Sequence, residues 1–199
     1  MHGLSYAAIT LSLTLGLPEA APVSEPPTAL ERVEEKLQKN PALAKLMAQP
    51  PPELESVRFM AGRWDVVART LATTRSPEKV RSGTAESAFE LDGRWLVTRT
   101  SLPDQKLVQY LGFDAYERRW YLQFFSSSGR GTNAPLLSKA GWDGGRLVLG
   151  GTMLFYLEPA EVEVRIEKLG DDGYNVVFEE MLSAGASRVL LQHEYRRRK

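Results

Sequence analysis

Two short words about 130 residues apart constrain this chain more than anything else in it. Gly62-Arg63-Trp64 opens a strand-rich region, and Tyr195-Arg196-Arg197 closes it. A Gly-x-Trp on the first strand with a basic residue on the last is a way to plug one end of a small closed β-barrel. The indole caps the floor and a guanidinium lies over its face. Trp64, Tyr195 and Arg197 are therefore the expected closure residues, Arg197 being favoured because it shares a strand face with Tyr195.

Between these words the apolar pattern has period two. Strand-like runs fall near 63–72, 81–90, 94–101, 106–113, 118–126, 146–149, 152–157, 161–168, 173–182 and 187–197. Turn residues separate them, as in Leu91-Asp92-Gly93, Pro103-Asp104, Asp143-Gly144-Gly145 and Gly170-Asp171-Asp172-Gly173. In 161–167, Val162, Val164 and Ile166 alternate with Glu161, Glu163, Arg165 and Glu167, the mark of an antiparallel sheet with one wet face. The fold class expected is all-β, an antiparallel up-and-down barrel of eight to ten strands. No βαβ alternation is present, so a Rossmann-type nucleotide site is not expected.

The N-terminal third reads differently. Ala7 to Leu17 is an apolar run of signal-peptide length, too short to span a bilayer, and small residues follow it; residues 1–22 are expected to be a signal peptide. No Lys or Arg precedes the run, which leaves a cytoplasmic apolar N-terminal segment as the alternative. Export to the periplasm or medium is the expectation. Residues 18–27 form a Pro/Glu/Ser linker. Thr28 and Glu31 make a capping box for a helix with Leu30, Val33 and Leu37 on one face, and Asn40-Pro41 starts a second short helix that Pro50-Pro51-Pro52 stops. This 23–55 segment is expected to pack on the barrel or close one mouth, with partner binding as the sharper alternative.

Composition narrows the chemistry. The 199 residues contain 25 Lys plus Arg against 25 Asp plus Glu, so no net field draws nucleic acid or an anionic membrane. Cysteine is absent, which excludes disulfides, thiolate metal sites and a Cys nucleophile. No Gly-x-Ser-x-Gly elbow occurs, and Glu179 and Glu180 are strand neighbours that point to opposite faces, so no catalytic constellation is expected. The Ser126–Gly131 loop reads as a polar loop at the barrel mouth, and the Arg196–Lys199 tail as the barrel-closing Arg plus a solvated end.

The interior supplies the candidate site. Trp120, Leu122 and Phe124 share one strand face, and Tyr174, Val176, Phe178 and Glu180 another. Such an apolar and aromatic lining with a few polar groups suits a small-molecule pocket. Arg99 shares a face with Trp95 and Val97. It lies on the surface, pairs internally with Glu180, or holds an acidic head group, depending on the strand parity set at Gly93. Arg99, Trp120, Phe124, Phe178 and Glu180 are thus the candidate ligand contacts.

The words Phe59-Met60-Ala61-Gly62-Arg63-Trp64, Leu91-Asp92-Gly93-Arg94-Trp95-Leu96, Leu111-Gly112-Phe113-Asp114 before Arg119-Trp120-Tyr121, and Glu194-Tyr195-Arg196-Arg197, taken in this order, carry a resemblance. The stretch 59–197 resembles a bacterial family of uncharacterised lipocalin-like (calycin) domains. That resemblance implies the barrel and no catalytic activity. The family often has Trp-x-Asp-Ser where this chain reads Phe124-Phe125-Ser126-Ser127. His193, on the last strand, is similar in place to the iron-ligating histidine of haem-binding nitrobindin-like barrels. Those barrels carry a Gly-rich extension after Gly-x-Trp, whereas this chain continues Asp65-Val66-Val67-Ala68, so no cofactor is expected. Non-catalytic binding of a small apolar or amphipathic molecule is the leading expectation. A structural or partner-binding module with a filled barrel is the alternative, and a haem-binding or enzymatic barrel a remote one.

Overall fold

A computed structural model describes residues 26–128, 132–138, 140–155 and 158–199, with only the backbone described at 132–133. The expected signal peptide lies outside the described residues. The chain divides into two compact units, Met1–Lys39 and Asn40–Lys199.

In the first unit, α1 spans Ala29–Lys39. Its start is the capping box read from the sequence: the Thr28 amide donates to Glu31 Oε2 at 2.6 Å, and the Glu31 amide donates to Thr28 Oγ1 at 3.3 Å. The second unit opens with α2, Pro41–Ala48, where Asn40 Oδ1 accepts from the Leu43 amide at 3.0 Å. Neither helix buries a residue.

The element that closes the barrel is one the pattern of helices does not announce. Pro52–Met60 forms a 3-10 helix whose buried residues are Leu54, Val57 and Met60. Their spacing of three matches the three residues per turn of a 3-10 helix, so all three lie on one face. Three consecutive prolines end α2 and start this helix, because proline lacks the N–H that helical propagation needs but suits a first turn.

Among the described residues eleven strands follow: β1 Gly62–Thr70, β2 Lys79–Glu90, β3 Trp95–Leu102, β4 Gln105–Asp114, β5 Arg119–Ser126, β6 Thr132–Asn133, β7 Leu136–Ser138, β8 Arg146–Phe155, β9 Glu158–Lys168, β10 Gly173–Met181 and β11 Ser187–Arg197. Every pairing is antiparallel; β1 pairs with both β2 and β11, and β8 with β9, so the sheet closes on itself. β6 and β7 pair with consecutive stretches of β8 and count as one interrupted strand, giving a ten-strand barrel. Pro135 lies in the interruption, where a missing N–H breaks the ladder.

The strand pattern departs from expectation at two places. β8 runs unbroken through Gly150-Gly151, which the sequence suggests as a break. A Cβ on Gly151 would lie 3.1 Å from Leu136 Cδ2, so the glycine makes room for a fully buried leucine from the interrupted strand. The interrupted strand itself, 132–138, is too short and too mixed to carry a period-two signal.

The closed end is built around Trp64, which is completely buried. Its Nε1 donates to the Met60 carbonyl at 2.9 Å, tying the 3-10 helix to β1. The Arg197 guanidinium lies 4.4 Å from the indole centroid and donates to the carbonyls of Phe59 and Ala61 at 2.7 and 3.2 Å. Tyr174 packs edge-on against Trp64 and stacks on Tyr195, with centroids 4.3 Å apart and planes 6° from parallel. Trp64→Ala should cost roughly 3–5 kcal/mol, as for other buried aromatic truncations. Urea unfolding measures this; a loss under about 0.5 kcal/mol would place the indole outside the structural core.

Candidate functional site

Register assigns every side chain to the inner or outer wall. Trp64, Val66 and Ala68 of β1 face inward, and antiparallel pairing carries that face around the barrel through Ala85, Thr100 and Leu107. The lower and middle interior is filled. Leu122, Leu136, Leu149, Val164 and Val176 are all buried within one core cluster with Trp64.

Space remains toward the opposite end. A cup of about 100 Å³ is lined by the apolar Leu107, Phe124, Met153, Phe155, Phe178, Leu190 and Leu191, and by Gln105, Gln109, Ser126 and His193. Through Gln105, Phe155, Leu190 and Leu191 it adjoins a wider vestibule of about 780 Å³ that Thr70, Lys79, Arg81 and Asp104 also line. The Phe124 and Phe178 rings meet edge to face, 5.3 Å apart, and Phe178 packs on the His193 ring at 6.2 Å.

Two of the cup's polar groups, Gln109 and His193, are joined through the Tyr195 hydroxyl. The Tyr195 hydroxyl donates to Gln109 Oε1 at 3.4 Å and lies 3.5 Å from both Thr100 Oγ1 and His193 Nδ1. His193 is only 1 % exposed, and its Nε2 has no hydrogen-bond partner among the described residues. Burial, with a smaller contribution from the Arg81 charge, lowers the His193 pKa to about 4. Burial raises the Tyr195 hydroxyl to about 12.

Arg81 anchors the rim of the vestibule from β2. Its guanidinium donates to Thr70 Oγ1 at 3.1 Å and to Asp104 Oδ1 and Gln105 Oε1 at 3.2 Å each. Gln105 Nε2 then donates to Ser126 Oγ at 2.6 Å, linking four strands and the β3–β4 turn around the mouth. Hydrogen bonds from Lys79 and Arg81 hold the Asp104 carboxylate down at about 2.

The candidate ligand contacts separate in space. Phe124 and Phe178 line the cup. Trp120 lies at the closed end, edge-on to Phe113 with centroids 5.4 Å apart, and is absent from the cup. Glu180 stands at the rim and pairs with Arg188. Arg99 is on the outer wall, where it pairs with Glu90, its Nη2 donating to Oε2 at 3.1 Å. The inward reading of Arg99, and with it an Arg99–Glu180 pair, is therefore corrected. The β2–β3 hairpin pairs Phe89 with Leu96, which turns Leu96, Thr98 and Thr100 inward and Trp95, Val97 and Arg99 outward. The turn manages this with Leu91, Asp92 and Gly93 all in left-handed conformation. Trp95 lies over Gly112, where a Cβ would come within 2.6 Å of the indole.

Sequence reasoning missed Gln109, Met153 and Leu191 as cup residues, and Arg81 as an interior arginine. The signal for Arg81 was parity: it faces Ala68 across the β1–β2 ladder, two residues along from Val66. His193 is the one histidine among the described residues. The cup, at about 100 Å³, is the smaller of the two spaces at this end, and the adjoining vestibule of about 780 Å³ supplies most of the room.

His193 links this site to stability. Its folded pKa lies below its unfolded value near 6.5, so the unfolded chain takes the proton first as pH falls. The folded state is fully favoured above pH 6.5 and loses roughly 3 kcal/mol between there and about pH 4. His193→Leu should flatten that decline, measured by urea midpoints at pH 7.5 and 4.5. An equal decline in both proteins would assign it to other groups.

No family model and no curated protein sequence matches this chain. Among solved structures, Rv2717c from M. tuberculosis superposes with a TM-score of 0.53 at 12% identity, over 76% of this chain and 100% of that one. At that identity the likeness shows the fold alone. A redesigned β-barrel also aligns, over 72% of this chain and 96% of its own, at 11% identity; its TM-score of 0.28 carries no argument.

Proposed function

We propose that the open end of the barrel binds a small amphipathic molecule without transforming it. The observation that carries this is the cup: apolar walls that include His193, whose buried Nε2 has no partner among the described residues, beneath a vestibule open to solvent. A buried polar atom without a partner costs about 1–3 kcal/mol, and a ligand that satisfies it recovers that loss. The aromatic walls favour an apolar body, and the Arg81-centred rim gives polar groups a place outside the cup. Because most of the interior is filled, the ligand inserts one end and leaves the rest in the vestibule.

An environment-sensitive apolar fluorophore tests this. The protein should bind it saturably, and Leu191→Trp, which places an indole in the cup, should weaken binding at least about tenfold with little change in melting temperature. Undiminished binding by Leu191→Trp would move the site elsewhere. Native mass spectrometry of protein purified from two expression hosts adds a second measure, since a co-purified small molecule favours binding. Export of the chain is part of the same proposal; it predicts a periplasmic or secreted mature protein lacking residues 1–22, which fractionation with N-terminal sequencing checks.

One observation favours the second reading, a structural or partner-binding module: Leu30 and Val33 of the α1 stripe are 68% and 50% exposed. Deleting residues 1–39 separates the two readings. Fluorophore binding should survive the deletion if the cup is the functional element.

A further inference from the structure

The direction of hydrogen bonding in the cup specifies more than its shape does. Tyr195 has one proton and two lone pairs, and it has three partners. The Gln109 carbonyl oxygen only accepts, so the Tyr195 proton goes there. The Tyr195 oxygen then accepts from Thr100 and from His193, which places the imidazole proton on Nδ1 when roles are assigned from the network. His193 is neutral near pH 7, so its Nε2 carries a free lone pair. This atom is buried, and His193 lines the cup.

We infer that the cup takes the hydroxyl end of a neutral small molecule, donor first, with His193 Nε2 as the acceptor. The inference rests on the binding reading above and names its ligand class. A carboxylate has no proton to offer Nε2, and it would lose its hydration among Phe124, Phe178 and Met153. An ammonium has protons but would meet no countercharge, since no acidic side chain among the described residues lines the cup. A hydroxyl donates to Nε2, and a carboxamide N–H such as that of Gln109, which lines the same cup, is the complementary donor for its oxygen. A phenol or small alcohol fulfils these requirements, and its apolar part rests on the aromatic walls.

Phenol, toluene and benzoate are suitable probes, being one ring with three different ends. Titrations of the full chain at pH 7.5 should show phenol binding about tenfold or more tightly than toluene, and benzoate not entering the cup. His193→Phe should bring phenol and toluene to within about twofold of each other. Nitrogen-15 spectra of the wild-type imidazole should show the proton on Nδ1 and a shift of Nε2 on adding phenol, a readout that does not depend on the variant folding. Equal binding of phenol and toluene by the wild type, or a proton on Nε2, would overturn the hydroxyl inference while fluorophore binding still supports the cup. Failure of the fluorophore and of all three probes would overturn the binding reading as well.

Discussion

The barrel depends on one contact, the Arg197 guanidinium over the Trp64 indole. It joins the last strand to the first at the point where the sheet must close. Two backbone carbonyls, those of Phe59 in the 3-10 helix and of Ala61 just after it, occupy the donors that the indole leaves free. A third, that of Met60, takes the indole N–H. First strand, last strand and plug are thereby fixed by two side chains. A cation over an aromatic face gains most when water is kept away, and Trp64 is wholly buried. A closed barrel also has no free edge for another chain to extend.

Closing one end this firmly leaves the other end to carry any site. The interior passes from packed side chains at the middle to a small, partly aromatic cup below the mouth. Polar interior residues gather on the side formed by β2, β3, β4 and β11: Ser87, Thr98, Thr100, Gln109 and His193 are all buried. The Ser87 and Thr98 hydroxyls satisfy one another at 2.8 Å, and Tyr195 joins three more groups. Buried polar groups without partners cost stability, so networks of this kind are normally complete. Among the described residues His193 Nε2 and Arg81 Nε are buried without a partner, and of the two only His193 belongs to the wall of the cup.

Much of the architecture was legible in the chain. The alternation in 161–167 and the turn glycines locate strands, and Asn40-Pro41 locates a helix start, because these are local properties of backbone and side chain. The candidate site was less legible. Phe124 and Phe178 emerged from parity within single strands. Arg99 did not, because Thr98 and Thr100 face inward and Trp95 and Val97 face outward, which inverts the usual apolar assignment on β3. Val97 is fully buried on the outer wall, between Ala88 and Tyr110 of the neighbouring strands, so hydrophobicity alone could not tell the two faces apart. Glu180 has inward parity yet stands at the rim, where Arg188 meets it.

By itself the sequence determined an antiparallel barrel and the residues of its closure, since period-two patterning and a terminal aromatic–cation pair are written in residue types and spacing. Only the tertiary structure decided how much of the interior is full, that a 3-10 helix plugs it, and which polar atoms share the remaining space. The reason is that volume and hydrogen-bond saturation are properties of many strands together. His193 reads as one histidine on a strand; the fold places it in the wall of a cup with Gln109, Phe124 and Phe178, its Nδ1 3.5 Å from the Tyr195 hydroxyl.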